Sequence, residues 1–149
     1  MNTKLAEEIL KKALIGNSFA YFKQGDWIAL QLLDYWLVAQ DIESPEEFNL
    51  NCLLEKADPP ILDGVDPENV AKSAILHRNS RRKITNITLH NDSSLSLYFD
   101  HNREIILITS TPIVDWHWCL NKSGEDPYHD YLVACFQPGT IDVCGQSES

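Results

Sequence analysis

The chain has 149 residues and a mass of 17.0 kDa, with 12 Lys+Arg against 22 Asp+Glu, a net charge of −10 and a pI of about 4.8. That length suits one domain with an ordinary core, and 44% apolar against 23% charged residues excludes a disordered acidic tail. A balance this acidic also disfavours nucleic acid as a partner, because phosphate recognition is driven by Lys and Arg.

In chain order, Leu5, Ala6, Ile9, Leu10, Ala13 and Leu14 recur at helical spacing opposite Glu7, Glu8, Lys11 and Lys12, which predicts an amphipathic helix ending near Gly16. From Ser18 to Asp41 the apolar residues form no helical stripe. They echo a later segment instead: Phe19, Phe22, Ile28, Leu30, Leu32 and 36–39 parallel Ile84, Ile87, Leu95, Leu97, Phe99 and 105–108. The alternation of 95–99 and the turn chemistry of 90–94 and 100–103 mark strands, so each copy is predicted as a three-strand meander. Between them, Ser44-Pro45-Glu46-Glu47 reads as a capping box opening a helix that carries Phe48, Cys52, Leu53 and Leu54 and ends before Pro59-Pro60. Asp66-Pro67-Glu68 opens a second helix, with Val70, Ala71, Ala74 and Ile75 as its buried side and His77 near its end. The stretch 113–120 alternates, which predicts a strand with Val114, Trp116, Trp118 and Leu120 on one face and Ile113, Asp115, His117 and Cys119 on the other. A strand apolar on both faces over 131–136, a Pro138-Gly139 turn and a half-buried strand with Ile141 and Val143 complete the chain before a loose tail.

The predicted fold class is therefore α+β: a mainly antiparallel sheet from two meander halves, an N-terminal helix and two inserted helices. A single domain is expected, divided into 1–41 (helix and first meander), 42–77 (acidic helical insert), 78–145 (second meander and last strands) and the tail 146–149.

No apolar run approaches the roughly 20 residues that span a bilayer, and residues 1–8 lack the apolar stretch of a signal peptide. A soluble, cytoplasmic chain with no membrane partner is the expectation. Cys52, Cys119, Cys135 and Cys144 form no C-x2-C or C-x4-C pair, so they are expected as reduced thiols, with Cys119 and Cys135 packed as small core residues. No cofactor or metal is predicted, since nothing matches G-x-S-x-G, H-E-x-x-H or a glycine-rich phosphate loop.

Charge is the informative signal. Residues 42–72 hold eight acids and two bases, a local charge of −6, and Glu46, Glu47, Asp58, Asp63, Asp66 and Glu68 are the candidate partner-binding residues. Concentrated acids either solubilise a face or raise the association rate of a basic protein and suppress wrong partners. Arg78, Arg81, Arg82 and Lys83 form a basic knot without interleaved aromatics, read as offsetting the neighbouring acids. A second candidate site is Asp115, His117 and His129: a carboxylate two residues from an imidazole on a strand could orient it as a base, with His129 folding back from the Tyr128-His129-Asp130-Tyr131 loop. That set would serve a small-molecule binder or hydrolase. A homo-oligomer built on the sheet is a further reading.

The second half also carries a resemblance. L-x-L-x-F at 95–99, I-x-L at 105–107, W-x-L at 118–120, and an apolar strand closed by Pro-Gly before an alternating last strand (136–143) resemble small uncharacterised bacterial β-rich domains, some of which serve as immunity proteins for secreted toxins. The likeness covers about residues 84–144 with a fainter echo over 15–41. Trp116-His117 and the insert at 42–77 depart from the pattern. The resemblance implies no catalytic residues. With the small acidic chain, the acidic segment 42–72 and the absence of a catalytic constellation, the expected function is that of a non-enzymatic protein-binding protein, most concretely an intracellular immunity protein that neutralises a basic toxin.

Overall fold

The computed structural model describes residues 2–45 and 67–144. Helix α1 (Asn2–Leu14) is followed by β1 (Phe19–Gln24), β2 (Ile28–Leu32), β3 (Tyr35–Ala39), β4 (Ile42–Glu43), α2 (Pro67–Asn79), β5 (Asn86–Leu89), β6 (Leu95–Tyr98), β7 (Glu104–Leu107), β8 (Trp116–Asn121), β9 (Val133–Phe136) and β10 (Thr140–Val143). The chain is mostly antiparallel sheet with two described helices, in keeping with an α+β class. The capping box at 44–47 and the helix predicted after it lie largely outside the described residues.

Both meanders form, but not in one sheet. β1, β2 and β3 join β8, β9 and β10 in a six-stranded sheet of order β1-β2-β3-β8-β9-β10, whereas β5, β6 and β7 make a four-stranded sheet of order β4-β7-β6-β5. The division is made by Ile42 and Glu43, which leave β3 and pair with Leu107 and Ile106 on the other sheet. Two residues are too short a run to show alternation, so β4 has no sequence signature. The inner faces of the two sheets share one core: Leu30, Leu37, Trp118 and Val133 from the larger sheet meet Ile42, Leu95, Leu97 and Leu107 from the smaller.

The helices sit at the open sides. Helix α1 packs on the edge strands β10 and β5 through Ala6, Leu10 and Leu14. Its end is fixed by Asn17, whose Nδ2 donates to Ala13 O at 2.6 Å, and by Gly16, whose positive φ of 87° turns the chain so that its N–H donates to Ile84 O at 2.8 Å. Helix α2 lies beside β1: His77 meets the Phe22 ring edge-on at 4.9 Å, and Gln24 Nε2 donates to Asn69 O at 3.1 Å. Its buried side is rotated from the predicted one. Ala71, Ile75 and Leu76 are buried while Val70 and Ala74 are only half-buried, because the helix also buries Lys72 in an ion pair with Asp41.

The turn predicted at 90–94 is also a tie between sheets. Asp92 Oδ1 accepts from Ser94 N (3.0 Å) and Ser94 Oγ (2.6 Å), Ser93 O accepts the buried indole N–H of Trp118 at 2.8 Å, and Ser93 Oγ donates to Gly139 O at 2.5 Å. Those two donors from Ser94 hold the Asp92 carboxyl below its ordinary value.

The strand predicted from Ile113 begins only at Trp116, and Ile113 is fully exposed with a φ of 59°. The register against β9 then slips: Trp116 pairs with Phe136 but Trp118 with Cys135, leaving His117 as the extra residue of a β-bulge. The bulge breaks the period of two, so Trp118 and Leu120 enter the core while Trp116 joins Cys119 on the opposite face. The single aromatic face expected of this strand is thus two half-faces.

Candidate functional site

The outer face of the six-stranded sheet carries a second cluster of buried residues, separate from the core between the sheets. Alternation sends Tyr21 and Lys23 of β1, Ala29 of β2, Trp36 and Val38 of β3, Cys119 of β8 and Ala134 of β9 to this side. The cross-strand partners Lys23↔Ala29, Ala29↔Val38, Val38↔Cys119 and Cys119↔Ala134 form a row across the middle of the sheet. Ala29, Val38, Cys119 and Ala134 are small and fully buried, whereas the flanking positions carry Trp27, Trp36, Trp116, Tyr131 and Phe136. Rings meet edge-on along both flanks: Tyr21 with Trp36 at 6.0 Å, Trp27 with Trp116 at 5.7 Å, Tyr131 with Phe136 at 5.8 Å. Small residues between large ones make a trough.

The β8–β9 connection, 122–132, fills it. Asn121, fully buried, organises the loop: its Nδ2 donates to Glu125 O (2.9 Å) and Asp130 O (3.2 Å), and its Oδ1 accepts from Gly124 N (2.9 Å). Asp130 closes the other end, accepting from Lys122 N at 3.1 Å and from the Ser123 hydroxyl. Gly124 has a φ of 75° and lies so close to the Trp36 indole that a Cβ there would sit 2.9 Å from a ring carbon. With Asn121, Ser123 and Asp130 bonded to its backbone, the loop is held in one shape before any partner arrives.

What this loop displays is Tyr128. It is 64% exposed, its ring rests 6.1 Å from that of Phe136, and its backbone N–H donates to Asp126 Oδ1 at 2.9 Å. Partial loss of water, then the nearby carboxylate of the exposed Asp115, and then Asp126, raise the phenol's pKa. Glu125, Asp126 and Asp26 add carboxylates around the same face. Next to it, Tyr131 donates its hydroxyl to Asp142, which together with partial burial pushes its pKa up to about 12.

The residues singled out from sequence distribute as follows. Of the acidic set, Glu68 is exposed in the first turn of α2 and lies 3.7 Å from Lys72; Glu46, Glu47, Asp58, Asp63 and Asp66 lie outside the described residues. Of the alternative set, Asp115 is exposed near Tyr128, His129 is exposed with its backbone N–H on Asp126 O at 3.1 Å, and His117 is fully buried. His117 Nε2 is 2.5 Å from Gln137 Oε1, which assigns the ring N–H to Nε2 and leaves Nδ1 buried without a partner. A proton-accepting nitrogen shut off from solvent cannot reach a substrate. No group of three or more His, Cys, Asp or Glu side chains among the described residues could hold a metal, so Asp115, His117 and His129 do not meet as a ligand set.

Cys119 and Cys135 are buried, and desolvation raises both thiols, Cys135 to about 12; Cys144 is exposed and Cys52 lies outside the described residues. In the basic knot, Arg82 pairs with Asp100 at 3.5 Å and donates from Nε to Arg78 O. Among the described residues no helix is long and apolar enough to cross a membrane.

Sequence reasoning missed Asn121, Gly124, Trp27, Trp36 and Tyr128 as parts of one surface. The signal was present in two fragments: the turn-forming run 121–130 is long for a strand connection, and Ala29 and Val38 are small residues set two positions from a Trp. Comparison with protein-family models, with curated proteins and with solved structures found no match to this chain.

Proposed function

We propose that this chain is a non-enzymatic protein-binding protein that neutralises a basic partner, most concretely an intracellular immunity protein for a basic toxin such as a nuclease. The observation that carries the reading is the Asn121–Asp130 loop: a rigid platform presenting Tyr128 among Asp115, Glu125 and Asp126. Tyr is a favoured interface anchor, and a loop ordered in advance loses little entropy on docking. Net charge of −10, with eight acids in 42–72, supports electrostatic steering of a cationic protein, and carboxylates of that segment would stand in for phosphates in the partner's cleft. The resemblance of 84–144 to small uncharacterised bacterial β-rich domains, some of which serve as immunity proteins, points the same way. The buried, Gln137-bonded His117 gives the hydrolase alternative no solvent-facing base.

Crosslinking in the native host followed by purification tests this reading. A specific basic protein should be recovered, bound by the purified chain with an association rate that falls steeply with salt. Neutralising Glu46, Glu47, Asp63 and Glu68 should slow association, and Tyr128→Ala should weaken binding by about 2 kcal/mol, roughly thirtyfold. Recovery of no specific partner, or an affinity indifferent to both sets of changes, overturns it.

A further inference from the structure

We infer that the cleft between the β1–β2 turn and the 122–130 loop is a receptor for an arginine side chain. The inference rests on the partner reading above and names the chemical group recognised. The cleft has a volume of about 310 Å³ and is lined by Lys23, Gln24, Gly25, Asp26, Trp27 and Glu125. Its two carboxylates come from different elements, Asp26 from the turn and Glu125 from the loop. Among the described residues neither carboxylate makes an ion pair or a side-chain hydrogen bond. Glu125 is nevertheless fixed through its backbone, its N–H on Ser123 Oγ at 3.1 Å and its carbonyl on Asn121 Nδ2 at 2.9 Å. Trp27 is braced edge-on against buried Trp116.

The cleft's own cation is parked elsewhere. Lys23 Nζ lies over the Trp36 ring, 4.8 Å from its centroid, rather than on either carboxylate. That contact shows this aromatic surface holding a cation, and among the described residues it leaves Asp26 and Glu125 without an ion-pair partner in a cleft that Trp27 also lines. A guanidinium fits such a lining better than an ammonium. It is planar and stacks on an indole while its N–H groups reach carboxylates on either side, whereas an ammonium is a strongly hydrated point charge.

The test is an amide-resolved NMR titration of the full chain, at constant ionic strength, with N-acetyl-arginine methylamide and with its uncharged citrulline isostere. The arginine probe should shift the Gly25, Asp26 and Glu125 amides and the Trp27 indole along one saturating curve, and the citrulline probe should bind about tenfold more weakly. The double variant Asp26→Asn/Glu125→Gln should weaken the arginine probe by about tenfold with the rest of the spectrum unchanged, and Lys23→Ala should tighten it about two- to threefold. Equal response to the two probes, an unaltered dissociation constant in the double variant, or unsaturable shifts spread over acids elsewhere, such as Glu7 and Asp100, overturns the proposal. A basic partner protein that binds the double variant as tightly as the parent removes the cleft and leaves the partner reading standing. Saturation of the cleft by the arginine probe when no basic protein binds does the reverse.

Discussion

Replacing Gly124 by alanine tests whether the 122–130 loop is docked on the sheet as described. Two costs add. The φ of 75° places an L residue in the left-handed region, at roughly 1–2 kcal/mol. The new Cβ would also lie 2.9, 3.0 and 3.1 Å from three atoms of the Trp36 ring, and overpacking of that kind costs about 1–3 kcal/mol. The total is about 2–5 kcal/mol. Gly16→Ala is the matched control: its φ is 87°, but no atom lies within 4 Å of its Cβ position, so only the backbone cost of roughly 1–2 kcal/mol applies. Urea unfolding followed by tryptophan fluorescence and far-ultraviolet circular dichroism gives both stabilities, and amide exchange at Glu125 and Tyr128 reports loop undocking directly. Gly124→Ala should be the less stable variant by at least about 1 kcal/mol or should lose loop protection. Equal midpoints together with unchanged protection would refute the docking.

Trp118→Phe strands the buried Ser93 carbonyl that accepts the indole N–H, and should cost about 2–4 kcal/mol by thermal or urea unfolding, more than a comparable Trp27→Phe change on the half-buried outer face. Asp41→Asn should destabilise by about 2–3 kcal/mol, below the about 3–5 of a fully buried pair because Asp41 is 34% exposed, and Lys72→Met should cost less since it leaves no buried ammonium behind. Asp92 has a depressed folded pKa, so its contribution is present above the ordinary value of 3.8 and is lost as pH falls below it; in Asp92→Asn the stability-against-pH curve should be flatter on its acid limb. Tyr131 has a raised one, so its contribution is complete below 10.0 and disappears as pH rises toward about 12; Tyr131→Phe should remove the latest tyrosinate absorbance change in an alkaline titration.

The sequence carried the strand best where alternation stood between turns rich in Asn, Asp and Ser, as at 95–99, whereas 28–32 was legible only through its echo of that segment. It failed where one residue changes the geometry. The bulge at His117 is invisible to a period-two reading, because the sequence 113–120 alternates without a break. The split into two sheets depends on Ile42 and Glu43, too few to pattern. For α2, the four predicted core positions were half right since a lysine, normally a surface residue, is buried beside Asp41. The site was legible only as ingredients. Asp115, His117 and His129 drew notice as reactive types, yet what the fold assembles there is a tyrosine platform built by Asn121, Gly124 and Asp130, residues whose role depends on small side chains on neighbouring strands.

A basic protein docked on this loop-covered sheet face would shield its amides from solvent. Hydrogen–deuterium exchange of the chain with and without the crosslinked partner tests it most directly. Protection should appear at the amides of 121–130 and of the adjoining turn 23–27. Protection confined to α1, β5 or other surfaces remote from the loop would contradict it.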